Sequence, residues 1–236
     1  MSEEPISKKR EAQKEIASKF IEKPVNFLIK HNVTPNILSY LGLLCMILAA
    51  FFISLGTIHM FLFFSWPGPF FIFLAGTFDV FDGEVARRTG KESAAGAFLD
   101  SNLDRISDAI LILGLILGGL LNFMWGYIIL FLSIMISYIR SRAENEGIDM
   151  RGIGLMERAE RVLTLFGALI IETWVYLITF WIYGKPSLIE VPFLATQPVT
   201  WFWVIFILIY VFSLVLTVYQ RISFTYKHLK EKKSEN

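Results

Sequence analysis

The chain reads as six apolar runs separated by polar connections. They fall at about 36–55, 58–80, 103–121, 123–141, 162–183 and 200–220. A helix needs roughly 20 residues to cross a bilayer's hydrocarbon core, so each run is read as a span and the fold as an all-α membrane protein of six transmembrane helices. Within the second run, Trp66-Pro67-Gly68-Pro69 either kinks a long helix or marks its true start, since proline removes a backbone donor and clashes with the preceding turn. At the head of the first run Pro35 predicts a helix start, with Thr34 or Asn36 as cap.

Composition supports the membrane reading: 55% of the 236 residues are hydrophobic and only 18% charged. The net charge of +1 hides a segregation of sign. Lysines and arginines gather before run one, after run two, between runs four and five and after run six, whereas the alternate connections hold only Lys185. This asymmetry predicts that both termini face the cytoplasm in a multi-pass protein of the cell membrane. Residues 8–30 can form an amphipathic helix with Ile16, Phe20, Phe27 and Leu28 on one face, resting on the anionic leaflet; a solvated basic tail is the alternative. No cleavable signal peptide is expected at the start. The expected organisation is a juxtamembrane segment over 1–32, a transmembrane domain over 33–222 and a basic tail over 223–236. The single cysteine, Cys45, excludes an intramolecular disulfide and reads as a small buried hydrophobe.

One stretch breaks the apolar pattern. "FDVFDGEVARRTGKESAAGAFLDSNLD", residues 78–104, carries Asp79, Asp82, Asp100 and Asp104. On helices, Asp79 and Asp82 lie one turn apart, as do Asp100 and Asp104, so two helices joined by a short turn present two carboxylate pairs to each other. Carboxylates that close repel strongly in low dielectric and need cations. Oxygen ligands without histidine or thiolate select magnesium, manganese or calcium, and two ions held by four carboxylates suit phosphate chemistry. Arg87 is placed to reach a bound pyrophosphate, and the small residues from Gly83 to Ala97 allow close helix approach.

These residues resemble a known family. Asp79-x-x-Asp82-Gly83-x-x-Ala86-Arg87, then eight residues, then Gly96-x-x-x-Asp100-x-x-x-Asp104, is similar at every fixed position to the signature of the CDP-alcohol phosphotransferases. The resemblance implies a six-helix bundle, usually a homodimer, with a cavity on the cytosolic side. It implies that Asp79, Asp82, Asp100 and Asp104 hold two Mg²⁺ ions, Mn²⁺ being possible, and that Asp104 also acts as general base. Gly83, Arg87 and Ser93 would hold the CDP portion of the lipid, and Thr34-Pro35-Asn36 is similar to a nucleotide-contacting helix start. The implied reaction transfers a phosphatidyl-type group from CDP-diacylglycerol or CDP-archaeol to an alcohol hydroxyl, releasing CMP.

The acceptor is read from the arginines joining runs four and five. Arg140, Arg142, Arg158 and Arg161 suit a phosphate on the acceptor. "SYIRSRAE" and "MERAER" are also similar to segments of the phosphatidylinositol-phosphate and archaetidylinositol-phosphate synthases, which points to myo-inositol 1-phosphate. Glycerol 3-phosphate is the alternative, and a divalent-cation channel or transporter is a reading of another class. Membrane lipids are the expected surroundings, and nucleic acid is not an expected partner. Glu172, inside run five, is an ionisable group away from the motif and left without a role; His31, His59 and His228 show no ligand spacing.

Overall fold

The computed structural model describes residues 21–234, which are helical with no strand among the described residues beyond an isolated bridge between Ile189 and Val199. Helix α1 covers residues 21–30, and the expected amphipathic segment before it, with Ile16 and Phe20, lies outside the described residues. The others are α2 (Pro35–Ser54), the short α3 (Leu62–Ser65), α4 (Pro67–Thr89), α5 (Ala94–Leu117), α6 (Phe123–Asn145), α7 (Arg158–Tyr183) and α8 (Trp201–Ser234). By length and composition four of them, α2, α6, α7 and α8, are apolar enough to cross a membrane. Helices α4 and α5 are as long, but they carry the acidic stretch.

Local chemistry sets the helix ends. Thr34 is the extended N-cap of α2 with Pro35 in the first turn, although the Thr34 side chain makes no capping bond. Pro67 opens α4, so the Trp66-Pro67 pair begins that helix, and α3 is a separate turn. Gly90 ends α4 at φ +65°, a left-handed conformation that glycine adopts without a Cβ penalty. Ser93 then caps α5, its Oγ accepting from Gly96 N–H at 3.0 Å. The expected helix, turn and helix are therefore present across the acidic stretch.

Helix α2 packs closely against both α4 and α5, with α6 against α8 and α7 against α4. The approach of α5 to α2 depends on Gly114, where a Cβ would stand 2.7 Å from Ala50 Cα and 2.9 Å from Ala50 O. Helix α1 lies over the start of α2. Its Val25 is buried with Leu38 and Val85, and Ile21, Leu28 and Ile29 pack around them, while Phe27 leaves that face and is 62% exposed.

The end of the bundle away from the aspartates is closed by the 184–199 connection. Asn122 Nδ2 donates to Phe193 O at 2.6 Å, Trp203 Nε1 donates to Leu120 O at 2.7 Å, and Leu121, Leu194, Ala195 and Val199 are buried there. Glu172 belongs to this half of the molecule. Fully buried, its carboxylate accepts from His59 Nε2 at 2.8 Å, Thr200 N–H at 3.0 Å and Thr200 Oγ1 at 2.5 Å. The acid that had no role in the sequence thus joins α7 to the α2–α3 connection and to the entry of α8. Glu172→Ala would leave buried donors unpaired, a cost of about 1–3 kcal/mol each. The expected outcome is a lower Tm in detergent with little change in activity at permissive temperature; an unchanged Tm would remove the clasp from the account.

Candidate active site

Helix α4 delivers Asp79 and Asp82, and α5 delivers Asp100 and Asp104. One oxygen from each of Asp79, Asp82 and Asp100 lies within 4.8 Å of the other two. Two oxygens on opposite sides of one hard cation, each at about 2.0–2.6 Å, are themselves roughly 4–5 Å apart, so the triangle fits Mg²⁺, Mn²⁺ or Ca²⁺. The absence of nitrogen and sulfur donors from this set excludes a zinc preference. Asp82 is the most buried of the four aspartates at 7% exposure, and Ser39 Oγ of α2 donates to its Oδ2 at 2.7 Å.

Asp104 stands outside that triangle and faces α7. Arg158 Nη1, on the first residue of α7, is 2.8 Å from Asp104 Oδ1 and 2.7 Å from Asp79 Oδ1. One guanidinium therefore bridges the two carboxylate pairs. All four aspartates and Arg158 line a single cavity of about 400 Å³. Away from them the cavity becomes apolar, bounded by Met46, Ile72 and Phe73 on one side and Val162, Leu163 and Phe166 on the other. Ile21 of α1 also reaches its wall. The result is a chamber with a charged head and a greasy trough, shaped for an amphiphile whose polar end carries negative charge.

The residues expected to hold a nucleotide gather around the α4–α5 turn. A Cβ at Gly83 would be 3.2 Å from Arg87 Nη1, so the Arg87 side chain folds back over Gly83. Glu84 accepts from Arg87 Nη2 at 2.9 Å and from Arg88 Nε at 2.7 Å, and Arg88 Nη1 donates to Asn26 of α1 at 3.2 Å. Asn36 Oδ1 comes within 4.0 Å of a Cβ built at Gly96, which brings Thr34-Pro35-Asn36 beside the Ser93 turn. The Ser93 hydroxyl itself is engaged as the α5 cap.

The four arginines expected at an acceptor phosphate do not converge equally. Arg158 lines the cavity. Arg161, 3% exposed, donates from Nη2 to Asp108 Oδ2 at 2.8 Å. Arg140 pairs with Glu144 at 2.9 Å and Arg142 with Glu146 at 2.7 Å, both on the surface of α6. Sequence reasoning missed a fifth arginine. Arg221 of α8 is 2% exposed, with Nε bonded to Ile153 O and Nη1 to Ile136 O, each at 2.8 Å. Its Nη2 is buried without a hydrogen-bond partner, and the carboxylate oxygen Glu157 Oε1 is 3.9 Å away. The signal for it is present in the sequence: Tyr210, Leu214, Thr217 and Arg221 recur at helical spacing and form one buried stripe. Ser39, one of the few hydroxyls in an apolar run, gave no comparable signal.

Because Arg161 and Asp108 are buried together, removing one charge strands the other. Asp108→Asn is expected to destabilise the protein by about 3–5 kcal/mol, read as a fall in Tm. An unchanged Tm would mean that Arg161 does not depend on Asp108.

Residues 32–222 match the family model for CDP-alcohol phosphatidyltransferase. The chain is 38% identical over 156 residues to the archaetidylinositol phosphate synthase of Pyrococcus horikoshii, covering 64% of this chain and 79% of that protein. It is 46% identical over 91 residues to the synthase of the same name from Methanothermobacter thermautotrophicus, covering 39% of this chain; the match spans less than half, 46%, of that relative's length. Among solved structures, the phosphatidylinositol phosphate synthase of Mycobacterium tuberculosis with CDP-DAG bound superposes with a TM-score of 0.66 at 24% identity, covering 88% of this chain and 94% of that one. The same synthase in complex with manganese and citrate gives a TM-score of 0.65 at 23% identity over 87% and 88% of the two chains. At these identities the likeness establishes a shared fold.

Proposed function

The chain belongs to the CDP-alcohol phosphatidyltransferase family and is a transferase of phospholipid biosynthesis, and we propose that it moves a phosphatidyl-type group from a CDP-lipid to myo-inositol 1-phosphate. The observation that carries this reading is the single cavity in which a carboxylate triangle, an arginine and an apolar trough meet. The trough accommodates the hydrocarbon of CDP-diacylglycerol or CDP-archaeol, and the charged head takes the pyrophosphate. Two relatives named archaetidylinositol phosphate synthase favour an inositol phosphate as acceptor.

The family is divalent-metal dependent, and Asp79, Asp82 and Asp100, with Asp104 completing the set, are the residues that would hold Mg²⁺ or Mn²⁺, two ions in the fullest form of the site. Such cations, when bound, supply charge neutralisation for the transferred and leaving oxygens. The chain's own residues do the rest. Thr34, Pro35, Asn36, Gly83, Arg87 and Ser93 bind the CDP portion, with Arg87 exchanging Glu84 for phosphate oxygen. Arg158, which lines the cavity, orients the acceptor phosphate, whereas Arg161 is held by Asp108 and Arg140 and Arg142 by glutamates on the surface of α6. Asp104 accepts the proton of the attacking hydroxyl. The new bond joins that oxygen to the β-phosphorus, the bond from this phosphorus to the CMP oxygen breaks, and CMP departs.

The distribution of lysine and arginine supports six spans, with α4 and α5 crossing beside the apolar helices, and a cytoplasmic cavity and termini in the cell membrane. Exposed apolar side chains on the outside of the bundle, such as Phe51, Phe131 and Phe212, suit lipid contact and leave room for a homodimer. A through-membrane ion path is disfavoured by the packed end around Leu121, Leu194 and Trp203.

Incubation of purified protein with radiolabelled CDP-lipid, Mg²⁺ and either inositol 1-phosphate or glycerol 3-phosphate is expected to give CMP and a phosphodiester lipid with the inositol phosphate. Turnover with glycerol 3-phosphate alone would overturn the acceptor; none with either would overturn the transferase site. Asp104→Asn is expected to lower kcat by about 10²–10⁴ while the bundle stays folded. Arg158→Ala is expected to raise the KM for the acceptor about tenfold or more, and that for CDP-lipid less. Equal effects on the two substrates would contradict the role given to Arg158.

A further inference from the structure

We propose that Ser39 is a positioning residue for the cation site, holding the Asp82 carboxylate in the orientation that the site requires. The proposal rests on reading the Asp79, Asp82 and Asp100 triangle as that site. A carboxylate turns easily about its last side-chain bond, where the torsional wells are broad, so the helix alone does not fix its plane. At Asp82 the Ser39 hydroxyl supplies the missing restraint, 2.7 Å from Oδ2 and on a different helix.

The serine's geometry favours this task over a purely local one. Ser39 Oγ also lies 3.3 Å from Pro35 O, the back-bond common for serine within helices. A hydroxyl has one proton to donate, and the shorter contact to an ionised acceptor is the stronger. The proton therefore goes to Asp82, and the Pro35 contact is secondary. Helix α2 is itself held firmly at this point. Leu38, the preceding residue, is fully buried with Val25 of α1 and Val85 of α4. One turn further on, a Cβ at Gly42 would stand 3.5 Å from Ala75 O, so α2 and α4 run close together here. Ser39 is thus a fixed donor, and the cavity it lines is the one that holds the four aspartates. Outer hydrogen bonds of this kind commonly change metal affinity or activity by about 10–100-fold when removed.

The test compares Ser39→Thr with Ser39→Val, nearly equal in volume and different in the hydroxyl, with Ser39→Ala as a version that adds no bulk. Mn²⁺ binding to the purified full chain is titrated by the electron paramagnetic resonance signal of free Mn²⁺, alongside Tm and the Mg²⁺ dependence of kcat. The Thr variant is expected to bind Mn²⁺ like the wild type. The Val and Ala variants are expected to bind about tenfold more weakly or worse, with kcat recovered at higher Mg²⁺ and the acceptor KM unchanged. Equal Mn²⁺ affinity in the wild type and the Ala variant, or in the Thr and Val variants, would overturn the role of Ser39. A shift in acceptor KM without a shift in metal affinity would also overturn it, by making Ser39 a substrate contact. Failure of the wild type itself to bind Mn²⁺ would be a different result, overturning the cation site and the Ser39 proposal together.

Discussion

Carboxylates that share a cavity within a largely apolar bundle repel one another, and the surrounding apolar walls offer no screening. Much of the structure at the charged end answers that constraint. Arg158 bridges Asp79 and Asp104, Arg161 neutralises Asp108, and Ser39 donates to Asp82. The triangle of Asp79, Asp82 and Asp100 still holds more negative charge than these partners offset, and its oxygen spacing fits a divalent cation. Packing of both α4 and α5 on α2 serves the same arrangement, because it fixes the two helices that carry the carboxylates on a common partner. Gly114 and Ala50 permit the close approach of α5 to α2.

The opposite half of the molecule is built for rigidity. Glu172 receives three hydrogen bonds from two segments far from it in sequence, and the 184–199 connection packs apolar side chains over the helix ends. A buried acid here has both carboxylate oxygens engaged in hydrogen bonds, as buried polar groups generally do.

Much of this was legible in the sequence because the signals were local. Paired aspartates at helical spacing and Pro35 at a helix start are properties of short stretches, whereas Pro67 left a kink or a start open and the roles of Gly90 as a helix end and Ser93 as a cap emerged from the structure. Helical spacing in those stretches pointed to two carboxylate pairs; the structure groups Asp79, Asp82 and Asp100 as a triangle and sets Asp104 beside Arg158. What escaped depends on contacts between distant segments. Ser39 meets Asp82 across 43 positions, Glu172 meets His59 across 113, and no periodicity reports such pairings. The arginines illustrate both limits: charge pattern singled out Arg140, Arg142, Arg158 and Arg161 as one group, but helix orientation leaves Arg140 and Arg142 paired on the surface and brings Arg158 alone of the four into the cavity lining among the described residues. Arg221 was overlooked because it falls just after the sixth apolar run, among the basic residues that close the chain, although its helical register already placed it on the buried stripe.

The central claim is that these carboxylates form a divalent-cation centre, and anomalous diffraction from crystals grown with Mn²⁺ tests it most directly. The account predicts an anomalous peak among Asp79, Asp82 and Asp100, within coordination distance of all three. A peak confined to other residues, or density showing the three carboxylates turned away from one another in the presence of saturating Mn²⁺, would contradict it.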